Sequence, residues 1–286
     1  MSNEQFSFEQ EQAIDIYKIY DRFKDEEPFY TGACLAGLDT KEAWGLRSYL
    51  SEQSKDARRG VVQGLAGLTS NDSYEMRKAF LREAPESAAR SLAGDDSETA
   101  WELREEIKKH LGEPGVANGL AESLACMDTP RSWELRKELL QDEKVVSSIL
   151  EGLAGVDSEE AWKLREQYVD EYPVFVAESL CTLYSERAMT MRNTIVNIDE
   201  PAVLGSYVGS NEEIAWDLRK RNFKINPFLV GTSLAGLVND HADMMRRALL
   251  LKLEGDYEEE EKHKIRKGIL QGLNSNYIFE AIKKIA

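Results

Sequence analysis

The sequence predicts an all-α chain, a right-handed α-solenoid of about eight two-helix units with divergent caps, and three observations predict it. An interval of twelve residues recurs from Leu35 to Arg47, Leu65 to Arg77, Leu92 to Arg104, Leu124 to Arg136, Leu153 to Arg165, Leu180 to Arg192, Tyr207 to Arg219 and Leu234 to Arg246. All five tryptophans, Trp44, Trp101, Trp133, Trp162 and Trp216, fall at one place in that unit, three residues before its arginine. The units follow one another at roughly thirty residues, the period of architectures in which each unit buries its apolar face only against its neighbours.

Such a stack grows by addition, so its 286 residues are expected to form one continuous domain. Residues 1–27 are read as an N-terminal capping helix, 28–253 as the units and 254–286 as an acidic insertion with a C-terminal capping unit. The helix of the N-terminal cap is placed at 10–23, where Ile14, Tyr17, Ile19 and Tyr20 supply apolar spacing without a full copy of the unit. No apolar run approaches the roughly 20 residues that span a bilayer. The opening Met1-Ser2-Asn3-Glu4-Gln5 lacks a basic and apolar secretory leader, so the chain is expected to be cytoplasmic.

Each unit begins with a helix poor in charge and rich in small residues, ending at the leucine. Pro28, Pro85, Pro173 and Pro227 stand seven residues before that leucine and open the helix, where a missing N–H is harmless. A turn follows, with Asp39, Asp96, Asp128 or Asp157 next to a serine or threonine, and either residue can cap the second helix. Asp39 with Glu42 and Asp157 with Glu160 have capping-box spacing. In the second helix the inward face reads small residue, then leucine or methionine three later, then an apolar residue four beyond that, as in Ala161, Leu164 and Tyr168. The spacing from arginine to the next leucine varies from 15 to 20 residues between internal units, which places insertions on one edge. A longer one, residues 254–267, contains Glu258-Glu259-Glu260-Glu261.

Two short helices, a Leu-Ala-Gly end, an Asp-Ser or Asp-Thr turn and one arginine in the second helix resemble HEAT-type repeats over residues 28–286. The closest variant is the short HEAT-like repeat of the phycobilisome-lyase type. The resemblance implies an α-solenoid, and a family that includes scaffolds, adaptors, chromophore lyases and nucleic-acid repair enzymes.

The tryptophans and arginines are expected to be structural. Asp39 with Arg47, Asp96 with Arg104, Asp128 with Arg136 and Asp157 with Arg165 are read as a ladder, the turn aspartates accepting from partly buried guanidinium groups beside the indoles. Partner contacts are instead expected where residues change from unit to unit, two before the leucine: Gln63, Arg90, Glu122, Glu151 and Glu178. With a net charge of −16, an acidic concave surface there suits a basic peptide or protein and disfavours nucleic acid. Cys34, Cys126 and Cys181 occupy small-residue places, and no cysteine or histidine spacing matches a metal site or a nucleophilic pair. No catalytic residue, cofactor or metal is assigned. The expected function is a non-enzymatic protein-interaction scaffold or adaptor, with a HEAT-like lyase or repair enzyme as the alternative.

Overall fold

A computed structural model describes residues 15–273, and these are helical without a strand. In chain order the helices are α1 (Ile16–Phe23), α2 (Pro28–Ala33), α3 (Lys41–Gln53), α4 (Lys55–Gln63), α5 (Asn71–Phe80) and α6 (Pro85–Arg90). Next come α7 (Glu98–Lys108), α8 (Val116–Glu122), α9 (Pro130–Leu139), α10 (Val146–Glu151), α11 (Glu159–Tyr168) and α12 (Pro173–Ser179). After α13 (Glu186–Ile198) a 3₁₀ segment, Pro201–Tyr207, takes the place of a first helix. The remainder are α14 (Glu213–Asn222), α15 (Pro227–Ser233), α16 (Asp240–Leu253) and α17 (Glu259–Leu273).

Local chemistry sets these boundaries. Pro28, Pro85, Pro173 and Pro227 each open a first helix. The second helices are capped by the hydroxyl residue of the turn: Thr40, Ser70, Ser97, Thr129 and Ser185 accept from the backbone N–H three residues on. The Asp39/Glu42 and Asp157/Glu160 boxes do not form, because Asp39 and Asp157 stand one residue before the caps and their carboxylates are engaged elsewhere. The glycine that ends each first helix takes positive φ, as at Gly37, Gly94 and Gly155, and Cys126 and Thr182 are held at φ 62° and 69° in the same slot.

The arginine slot explains the invariant interval of twelve. Arg165 donates to the carbonyl oxygen of Leu153, twelve residues back, at 2.9 Å and to that of Val156 at 2.8 Å. It also donates at 3.0 Å to the carbonyl of Ser179, in the next first helix. Arg47, Arg77, Arg104, Arg136, Arg192, Arg219 and Arg246 repeat that three-carbonyl pattern. All eight are buried, at most 3 % exposed. Each therefore supplies donors to carbonyls that helix ends leave orphaned, and ties its own unit to the next.

The expected hydrogen-bonded Asp/Arg ladder is corrected by this geometry. The turn aspartates accept from the indole N–H instead: Asp39 from Trp44, Asp96 from Trp101 and Asp157 from Trp162 at 2.7 Å, and Asp128 from Trp133 at 2.6 Å. Asn211 does the same for Trp216. Each guanidinium lies over the ring of its own tryptophan, 4.5 to 4.8 Å from the centroid in Arg47, Arg104, Arg136, Arg165 and Arg219. Aspartate and arginine are thus joined through the indole, because the arginine points into the unit and the carboxylate sits at its surface. Burial pushes Arg47, Arg77, Arg104, Arg136 and Arg219 down to about 10 and Arg165 to about 9, with the field of the nearby aspartate opposing the shift at Arg47, Arg104, Arg136 and Arg165. All stay charged at neutral pH.

The residue before the next leucine is serine or glycine, and the choice has consequences on both sides. Ser91, Ser123, Ser179, Ser206 and Ser233 accept from the arginine Nε. Gly64 and Gly152 cannot, and the Nε atoms of Arg47 and Arg136 have no partner among the described residues. Glycine is required there by close approach: a Cβ on Gly64 would run into the carbonyl oxygen of Gly32, and one on Gly152 into that of Ala121. A backbone collision cannot be relieved by a rotamer change, so helix contact prevails over the missing bond.

First helices pack in sequence, α2 on α4, α4 on α6, and onward through α8, α10, α12, residues 201–207 and α15 to α17. The circuit then closes, because α17 packs against α2 and α1. Helix α1 is accordingly no cap over an open end. It is the second helix that partners α17, with Ile16, Tyr17, Ile19, Tyr20 and Phe23 in the small, tryptophan, leucine, arginine and apolar slots. Burial raises the Tyr20 hydroxyl well above its usual value, and the charges of Arg246 and Arg47 oppose that shift. Tyr17 reaches the Thr40 hydroxyl of the next unit as Tyr74 reaches Ser97. Across the seam Glu27, 4 % exposed, accepts from Arg266 Nε at 2.9 Å and pairs with His263 Nδ1 at 2.6 Å, and Arg22 donates to Glu254 at 2.9 Å. The C-terminal cap expected after Leu273 lies outside the described residues.

Candidate functional site

Helical register assigns the faces of the first helices. The leucine and the residue four before it, such as Leu124 with Leu120 or Leu153 with Ile149, are buried toward the second helices. Small residues occupy the flanks where neighbouring first helices touch: a Cβ on Gly60 would meet Phe29 backbone, and one on Gly119 the Glu86 carbonyl. The position two before the leucine is left on the side turned away from the second helices. Gln63, Arg90, Glu122, Glu151, Glu178, Thr232 and Gln271 occupy it.

These residues are less open than an exposed acidic stripe would be. Glu122 is 2 % exposed and takes two hydrogen bonds from the Arg90 guanidinium, with a third from the Ser148 hydroxyl at 3.0 Å. Arg90 also pairs with Glu86 at 2.7 Å, and Glu86 with Arg59 at 3.0 Å. Alternating charge thus runs along α4, α6 and α8. Arg59 and Glu86 were not singled out from sequence, although each lies four residues before Gln63 or Arg90 and so on the same helix face. Gln63 is half-buried, and its Oε1 has no partner among the described residues.

Beyond Glu122 the balance changes. Glu151 and Glu178 follow on the next two first helices, both half-buried. Burial pushes the Glu178 carboxyl up to about 7, and the charge of Glu122 pushes in the same direction. Gly205 opposite lets the Glu178 side chain lie against its backbone. At neutral pH Glu178 is therefore divided between its acid and carboxylate forms, able to donate or accept a hydrogen bond.

The cysteines are free thiols. Cys34 and Cys181 are buried, which raises both pKa values, Cys181 to about 12, and Cys126 is half-buried. Among the described residues no group of histidine, cysteine and carboxylate side chains is placed to hold a metal ion. No helix there is long and apolar enough to cross a membrane. Comparison with known proteins finds no matching family model, no matching curated protein and no matching solved structure.

Proposed function

We propose that the units are HEAT-like repeats of an α-solenoid closed on itself, and that the protein is a non-enzymatic interaction scaffold for a basic peptide or protein. One contrast carries this reading: the arginine slot is the same in eight units, whereas the position two before the leucine runs through Gln63, Arg90, Glu122, Glu151 and Glu178. A framework needs every copy alike. A ligand touches some copies and not others.

Glu122, Glu151 and Glu178 put three carboxylates in a row on successive first helices, and Glu151 and Glu178 are the more accessible of the three. The excess of acidic over basic residues, 52 to 36, attracts a cationic partner over a wider range. The test is affinity capture from the native cell followed by binding measurements with the captured partner. A basic partner that binds wild type and loses about tenfold in affinity to Glu151→Lys, with the melting temperature unchanged, supports the reading. A partner indifferent to Glu151→Lys, or a turnover activity, overturns it.

A further inference from the structure

One pair of second helices departs from the others. On α16, Met244, Ala248 and Leu251 are spaced i, i+4 and i+7 and so form one stripe. The position of Met244 carries a charge in five other second helices, as Glu75, Glu102, Glu134, Lys163 and Asp217. The residue five after the slot arginine, where Leu251 stands, is polar in the other seven units, from Glu52 to Lys224. Met244 is 40 % and Leu251 62 % exposed, so this stripe is not explained by packing within the fold.

The stripe forms one wall of a groove of about 790 Å³, with Trp216 of α14 and Phe223 just after that helix across from it. Two other tryptophans are covered by an arginine of the next unit: Arg131 lies 4.3 Å from the Trp101 centroid and Arg187 4.8 Å from that of Trp162, while the equivalent residues beside Trp44 and Trp133 are Asp72 and Glu160. Arg187 reaches back at the same time to Glu159 and Glu166, closing the space between α11 and α13. The equivalent residue beside Trp216 is His241, stacked at a tilt with centroids 5.6 Å apart. The shorter, uncrossed side chain leaves the groove open.

We infer that this α14/α16 groove docks an amphipathic helix of a partner, its apolar side chains spaced i, i+4 and i+7 and its flanks basic. This places on the outer helices an anchor for the basic partner of the scaffold reading, on which it rests. An aromatic and thioether floor accepts varied apolar side chains, and a helix laid in a groove presents them at the matching spacing. Charge selects the occupant: Glu213 and Asp217 outnumber Lys220 in the lining, Lys220 being paired with Asp217 at 3.6 Å, and at −16 per chain two copies repel one another.

The test uses the full chain and a designed fluorescent leucine–lysine peptide with leucines at i, i+4 and i+7, beside a scrambled peptide of the same composition, at physiological ionic strength. Anisotropy should show the helical peptide binding at least about tenfold tighter than the scramble. Met244→Glu and Leu251→Glu should each remove most of that difference without lowering the melting temperature, with Met244→Gln and Leu251→Gln as uncharged controls acting in the same direction. Equal binding of both peptides, or undiminished preference in all four variants, overturns the groove. So does a dimer in sedimentation that Leu251→Glu dissolves, which would assign the groove to a second copy. Competition by a peptide of residues 274–286 would assign it to the chain itself. If a captured basic partner binds the groove variants as wild type yet loses affinity to Glu151→Lys, the scaffold reading stands and the groove alone falls.

Discussion

Tyr20 donates its hydroxyl to the carbonyl oxygen of Cys34 at 2.9 Å, the same bond that each slot arginine makes to the residue before the next leucine. A phenol supplies one donor where a guanidinium supplies five, so this rung is the weakest of the ladder and sits at the seam. Tyr20→Phe, which removes only the hydroxyl, should cost about 1–3 kcal/mol in chemical denaturation by leaving a buried carbonyl unpaired. Glu27→Ala removes the buried acceptor shared by Arg266 and His263 and should also cost about 1–3 kcal/mol, since Arg266 keeps Glu26 at 3.6 Å and Glu259 at 3.5 Å. If both variants unfold with wild-type midpoints, closure contributes nothing to stability.

Arg165→Ala should be among the most damaging substitutions in the chain. It removes donors from the carbonyls of Leu153, Val156 and Ser179 and opens a cavity under Trp162, a loss of about 3–5 kcal/mol. Arg165→Lys should recover little, since an ammonium cannot reproduce the planar fork or its stacking on the indole. Melting temperatures of the two variants and wild type decide it.

Thr182→Gly should stabilise. A β-branched residue at φ 69° occupies a conformation that costs a non-glycine residue about 1–2 kcal/mol, and six units hold glycine in that slot at positive φ. Part of that gain is offset by the greater freedom of glycine in the unfolded chain. A rise in melting temperature for Thr182→Gly and a fall for Gly155→Ala is the expected pair.

Glu178 predicts a pH dependence of definite sign. Its folded pKa, raised from 4.5 to about 7, means that the native state binds the proton more tightly. Its favourable contribution is whole below about pH 4.5 and is lost as pH rises through 7. Glu178→Gln should therefore be more stable than wild type at pH 8 by about 2–3 kcal/mol, with the difference vanishing at pH 4. Denaturant titrations at the two pH values test it.

Much of the framework was legible because it is periodic. The inward register of the second helices, the opening prolines and the burial of the arginines all follow from residues that recur at fixed spacing. The acceptors of those arginines were not legible: backbone carbonyls have no letter in a sequence, whereas aspartates one turn away do. The closing unit was hidden by substitution, with Tyr20 for arginine and Ile16 for the small residue. One signal of it was present, since the 15 residues from Tyr20 to Leu35 match the shortest internal spacing between arginine and leucine. The enclosure of Glu122 could not be read either, because it depends on how near successive first helices approach.

Closure also sets an order of events in biosynthesis. Glu27 is made 236 and 239 residues ahead of His263 and Arg266, its partners. At about 5–20 residues per second, α1 waits until α17 is made with Ile19, Tyr20 and Phe23 short of their α17 contacts, an apolar face that aggregation or chaperones can claim first. The entropy of joining such distant ends grows only with the logarithm of the intervening length, so the delay and not the thermodynamic cost is the hazard. A nascent chain halted before residue 259 should therefore keep α1 accessible to protease, and extension past residue 273 should protect it.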